Sequence, residues 1–211
     1  MSIILRHEQP QDYRYVEEMT KRAFWNLYVP GCNEHYLTHI IRQHKDYEKD
    51  LSFVAVKDDK IVGHIMYTQS MITGNNGIHH KIATFGPICV EPAYQKQGIG
   101  HQLITHTIQL AKEKQYSAIA IFGFPNVYTR YGFKNGKHFG VHAGDDHYPA
   151  GLLILPLSDN KEQDISGQVH MSEVFLIDPK EVEAFDKDFF QLPKKEEYWH
   201  EDFYIMANAS L

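Results

Sequence analysis

The 211 residues predict a mixed α/β fold. Three observations carry this expectation. Runs rich in β-formers alternate with segments of helical apolar spacing, two of those runs form a hairpin pattern, and no internal repeat or low-complexity stretch interrupts the series. Hydrophobic residues make up 43% and charged residues 23%, the balance of a globular chain long enough to bury a core as one domain with additions or at most two small ones.

The elements follow in order. "IILR" at residues 3–6 reads as a first strand, and Tyr13, Val16, Met19 and Ala23 after Pro10 mark an amphipathic helix. Pro30-Gly31 makes a turn before a second helix whose expected inner face is Tyr36, Leu37, Ile40 and Ile41. "LSFVAVKDDKIVGHIMYTQSMI" is a hairpin turning at Asp58-Asp59, and "HKIATFGPICV" is a further strand in which Gly86-Pro87 predicts a bulge or an unpaired edge, since proline cannot donate to a ladder. Leu103, Ile104, Ile108 and Ala111 stripe a helix after "QKQGIG". "SAIAIFGF" and "GLLILPL" read as strands, with "PNVYTRYGF" between them as a loop or short helix. The polar run "SDNKEQD" reads as a linker, "GQVHMSEVFLI" as an added strand, and Asp178-Pro179-Lys180-Glu181 as a capped helix start.

Composition narrows the function. No apolar run approaches the roughly 18 residues of a membrane span, and "MSIILRHEQP" lacks the apolar core of a secretory signal, so the expected location is the cytoplasm. Cys32 and Cys89 are too few for a disulfide framework. A formal charge of −6 argues against a nucleic-acid partner and suits a cationic small molecule or peptide.

Gly98 and Gly100 stand where a strand gives way to a helix, a place where backbone N–H groups and the helix dipole favour an anion. Taken alone this is a tight turn or a ligand loop. A dinucleotide loop would need a glycine at Leu103, and a P-loop would need Gly-Lys-Ser/Thr, which is absent.

The line "GPICVEPAYQKQGIGHQLI" resembles motif A of the GNAT superfamily of acyl-CoA-dependent N-acetyltransferases, with Val90, Pro92, Gln95, Gly98 and Gly100 in the motif positions. "VYTRYGF" resembles its motif B, with Tyr128 ahead of Gly132 and Phe133. The order of elements fits over residues 3–157, and "GFPNVYTRYGF" followed by "GLLILPL" is similar to the YhbS-like branch. The resemblance implies a mostly antiparallel sheet with a splayed strand pair, flanked by helices, as a domain of residues 1–157 with a C-terminal extension at 158–211.

It also implies acetyl-CoA as cofactor, with the pantetheine arm on the backbone of Ile88, Cys89 and Val90. The pyrophosphate then sits on the N–H groups of Lys96, Gln97, Gly98, Ile99, Gly100 and His101, with Gln95 a further cofactor-binding residue. The expected reaction moves an acetyl group directly to a primary amine of a small molecule or peptide. Tyr128 is the expected catalytic acid, since a phenol with pKa near about 10 is protonated at neutral pH. Glu91 is a weaker candidate for the base. Cys89 has no visible His/Asp partner and is expected to be a buried side chain. His35 and His39 sit one helical turn apart, but no third ligand is identifiable and no metal is expected. "FWNLY" at residues 24–28 reads equally as acceptor pocket or core. A CoA-binding sensor or scaffold without chemistry is the alternative function, and a homodimer is compatible with the sequence.

Overall fold

Ile4–Arg6 forms β1 in this structure, a computed structural model that describes residues 2–145, 147–158 and 165–211. Pro10 opens a short 3-10 turn where its missing N–H costs nothing, and Asp12 accepts from the Gln9 N–H at 2.8 Å as α1, Tyr13–Phe24, begins. After the turn at Pro30-Gly31 comes α2, Glu34–Ile41. Strands β2, Phe53–Lys57, and β3, Lys60–Gly74, form the expected hairpin; Asp58 and Asp59 take φ of 51° and 59°, the left-handed pair that matches the twist of a two-residue hairpin. Strand β4, His79–Val90, runs through the Gly86–Pro87 peptide, which is cis. The helix after "QKQGIG" is α3, Ile99–Glu113, followed by β5, Ala118–Phe122, and the short α4, Pro125–Tyr128. The remaining elements are β6, Lys134–Asn135; β7, Val141–His142; β8, Leu152–Pro156; β9, Gly167–His170; α5, Pro179–Asp186; and α6, His200–Asn208.

The strands hydrogen-bond in the order β1-β2-β3-β4-β5-β8-β6, and β9 pairs with both β3 and β7. Most of the pairings are antiparallel; β4 with β5 and β7 with β9 are parallel. The ladder of β4 to β5 covers Ile82 to Thr84, so Pro87, which has no N–H to give, lies past its last paired residue.

The chain divides into two compact units. The first takes the N-terminal residues up to Tyr67, Gly86–His106 and Glu173–His200. Its core packs Val16 and Met19 of α1 against Val54, Ile61 and Cys89, and Leu37 and Ile41 of α2 against Met66 and Val174. The second takes Thr68–Phe85, Thr107–Ser172 and Glu201–Leu211, and its core is built from Ile72, Ile82, Ala118, Ala120, Leu152, Ile154 and Val169.

The inner face of α2 differs from the expected one. His35, Leu37, Thr38 and Ile41 are buried, whereas Tyr36 and Ile40 are half-buried. The cause is the chain beyond residue 178: Phe185, tilted, and Phe189, edge-on, pack against the His35 ring at 5.6 and 5.2 Å and cover a flank that apolar spacing assigns to solvent. α5 begins as expected, with Asp178 accepting from the Lys180 N–H at 2.9 Å and Pro179 at its first position. The predicted linker lies, from residue 159 to 164, outside the described residues.

Candidate functional site

The loop after β4 is held at its two ends and open in its middle. The Glu91 N–H donates to Val62 O at 2.9 Å, and the Gln95 amide returns to Val90 O at 3.2 Å, which fixes the exit from the strand. At the far end Ile99 is buried while Lys96, Gln97, Gly98 and His101 are exposed, so one apolar side chain anchors a polar loop. Gln97 accepts from Lys57 Nζ at 3.0 Å. The first helical bond of α3 runs from the Gln102 N–H to Gly98 O at 3.0 Å, and the amides of residues 99–101 precede it.

Gly98 and Gly100 have different reasons to be glycine. Gly98 has φ of 80°, where an L-residue is strained, and a Cβ there would meet nothing within 4 Å, so the space above it is open. Gly100 lacks a positive φ, and a Cβ would make only an ordinary contact, 3.8 Å from Val90 Cγ2.

Beside the loop lies a cavity of about 220 Å³, lined on one side by Ile88, Cys89, Val90 and Gln95 and on the other by Ala23, Phe24, Leu27 and Tyr28. "FWNLY" therefore divides: Phe24, Leu27 and Tyr28 face the cavity, while Trp25 and Asn26 bond to Pro193 O at 3.0 Å each. Burial raises the Tyr28 phenol, and the charge of Glu34 raises it further; the Glu34 carboxyl is itself pushed up to about 6 by burial.

Cys89 is buried against Thr20 Oγ1 at 3.6 Å, and loss of hydration pushes its thiol up to about 12. It is a neutral thiol at physiological pH and a poor nucleophile. Glu91, weighed above as a base, is gripped by the Arg22 guanidinium, with Nη2 at 2.7 Å and Nε at 3.1 Å. That pairing occupies the oxygens that a base would use. His35 Nε2 lies 3.2 Å from Asp186 and His39 Nδ1 lies 3.0 Å from Glu17, so the two rings face separate carboxylates. Among the described residues no group of three metal-binding side chains comes together.

Tyr128, in the second unit, ends α4 and is buried. Its ring packs edge-on against Phe85 at 5.5 Å and Phe133 at 6.1 Å. Gly123 leaves room for it, since a Cβ there would fall 2.6 Å from the ring. The position of this phenol is therefore set by packing on several sides.

A family model described as Acetyltransferase (GNAT) family matches residues 20–133, a stretch that contains β4, the glycine loop and Tyr128. The chain belongs to the GNAT acetyltransferase family. Among its curated relatives is the N-acetyltransferase YhbS of Escherichia coli (strain K12), itself uncharacterized, which is 23% identical over 174 residues spanning 82% of this chain and 98% of YhbS. The crystal structure of Escherichia coli YhbS in complex with CoA matches with a TM-score of 0.71 at 22% identity, covering 83% of this chain and 92% of that one. A GNAT acetyltransferase of Brucella melitensis, solved with acetyl-CoA, matches at TM-score 0.65 and 24% identity, over 82% of this chain and 98% of its own. The fold is thus the mixed α/β fold of GNAT enzymes, a mostly antiparallel sheet flanked by helices. Among the described residues no helix is long and apolar enough to cross a membrane.

Sequence reasoning missed the Arg22–Glu91 grip and the bonds from Trp25 and Asn26 to the C-terminal chain. Both join residues far apart in sequence, and no local pattern announces either.

Proposed function

We propose that this GNAT protein transfers an acetyl group from acetyl-CoA directly to a primary amine of a small molecule or peptide. The family match across the glycine loop carries the reading. Bound acetyl-CoA would supply the thioester carbonyl that the amine attacks and the thiolate that leaves.

The chain's own residues suit that cofactor. Positive φ at Lys96 and Gly98 turns the loop so that its amides gather ahead of α3, and the open space above Gly98 admits a diphosphate. Lys96 adds an exposed cation to the loop. The backbone of Ile88, Cys89 and Val90 borders the cavity and provides the edge for the pantetheine arm, with an N–H near Val90 to polarise the carbonyl. Gln95, Gln97, Ile99, Gly100 and His101 complete the cradle. Tyr128 holds the proton that the thiolate takes up, an assignment that rests on its place in the family motif and on its fixed, buried ring. Cys89 stays a neutral thiol, so transfer proceeds without a cysteine-bound intermediate.

The test is a thiol-release assay with acetyl-CoA and a panel of amines and peptides, beside a CoA titration. Release that requires an amine supports transfer. Tight CoA binding with no release from any acceptor would instead favour a binding module.

A further inference from the structure

Asn26 makes more bonds than its own turn requires. It sits just past α1 at φ of 57°, a conformation that asparagine tolerates better than most L-residues. Its N–H donates to Gly31 O at 2.9 Å and its Oδ1 accepts from the Gly31 N–H at 2.8 Å, which closes the turn. The same residue then reaches the C-terminal chain. Nδ2 donates to Pro193 O at 3.0 Å, Oδ1 accepts from the Lys195 N–H at 3.2 Å, and Asn26 O accepts from His200 Nε2 at 3.0 Å. The Glu197 N–H donates to His200 Nδ1 at 3.3 Å, which assigns the histidine proton to Nε2 and makes that ring a donor to Asn26.

The chain leading to this junction is itself fastened along α1. Lys21, fully buried, pairs with Asp186, and the Arg14 guanidinium lies 3.7 Å over the Phe189 ring. Directly after Asn26 come Leu27 and Tyr28, which form the cavity wall facing Cys89. A shift of the turn moves that wall.

We infer that Asn26 is a positioning residue for acceptor binding: it ties the turn between α1 and α2 to residues 193–200 and so holds the Leu27–Tyr28 wall of the cavity, opposite the Ile88–Val90 edge that takes the cofactor. The inference rests on the acetyl-transfer reading of that cavity. Asn26 touches none of the reacting atoms, and its bonds hold the wall in one place.

Two variants of the full chain test it. Asn26→Gly keeps the φ and deletes the side chain; Asn26→Asp keeps the oxygens that accept from Gly31 and Lys195 and loses the donor to Pro193. The readouts are amide exchange over residues 27–32, CoA affinity by calorimetry, and initial rates with phenethylamine, spermidine and an alanyl peptide as acceptors. In Asn26→Gly, exchange should quicken about tenfold and the acceptor KM should rise about fivefold, with CoA affinity and acetyl-CoA KM unchanged. Asn26→Asp should recover part of both effects. Unchanged exchange in Asn26→Gly, or equal losses in kcat and both KM values, would overturn the inference. If the wild type acetylates none of the probes, the proposed function fails, and the exchange comparison alone decides whether Asn26 holds the turn.

Discussion

Gly98 and Cys89 each support a prediction that depends on one residue. At Gly98 the obstacle to a larger residue is the backbone, because φ of 80° is strained for any L-residue while the space above is open. Gly98→Val should weaken CoA binding by about tenfold or more, read by calorimetry, as the loop relaxes and a branched side chain enters the diphosphate seat; unchanged affinity would remove the loop from the account. Cys89, with its thiol pushed up to about 12, should be dispensable. Cys89→Ala should retain transfer within about threefold, since nothing reacts at sulfur, whereas abolished transfer would point to a cysteine-bound intermediate. At this scale motif spacing singles out Gln95, Gly98 and Tyr128 in the sequence. It does not single out the Arg22 partner of Glu91, because pairing across 69 positions leaves no local trace.

Among the elements, the hairpin of β2 and β3 was readable from Asp58-Asp59, since turn chemistry is local. The face of α2 was not. A helix whose polar flank is covered by a later segment buries His35 and Thr38, and apolar periodicity cannot anticipate the cover. Two-residue strands such as β6 and β7 also lack a pattern of their own, being defined by the neighbours they pair with. The fastening of the C-terminal chain on α1 predicts a stability effect. Asp186→Ala would leave Lys21 buried without its carboxylate and should cost about 3 kcal/mol, seen as a lower urea midpoint. A double change with Lys21→Met should recover much of that loss, because the stranded charge is then removed; no recovery would show that the damage lies elsewhere.

For the whole molecule, buried histidines set the response to acid. Burial holds His64 down at about 3 and His35 at about 4, so both are neutral in the fold and take up protons only on unfolding. Their contribution is complete above about pH 6.5 and is lost as pH falls toward their folded values, by about 2 kcal/mol each at pH 5. Glu34, held up near 6, acts in the opposite sense and offsets about 1 kcal/mol of this. Stability from urea unfolding should therefore drop by about 2–3 kcal/mol between pH 7 and pH 5, and a flat or rising profile would contradict the assignment.

The fold class was legible in the sequence at this scale because alternating elements and two ordered motifs constrain it jointly. The cavity beside the glycine loop was not, since its wall depends on how a turn after α1 meets residues from the far end of the chain. The proposed reaction is amine-dependent acetyl transfer with Tyr128 as the proton donor. Its most direct test compares wild type and Tyr128→Phe for CoA affinity and thiol release with the same amine panel. Equal CoA affinity and a fall of about 100-fold or more in kcat are expected of the variant. A wild type that does not bind CoA, or a phenylalanine variant that transfers at the wild-type rate, would contradict the proposed reaction.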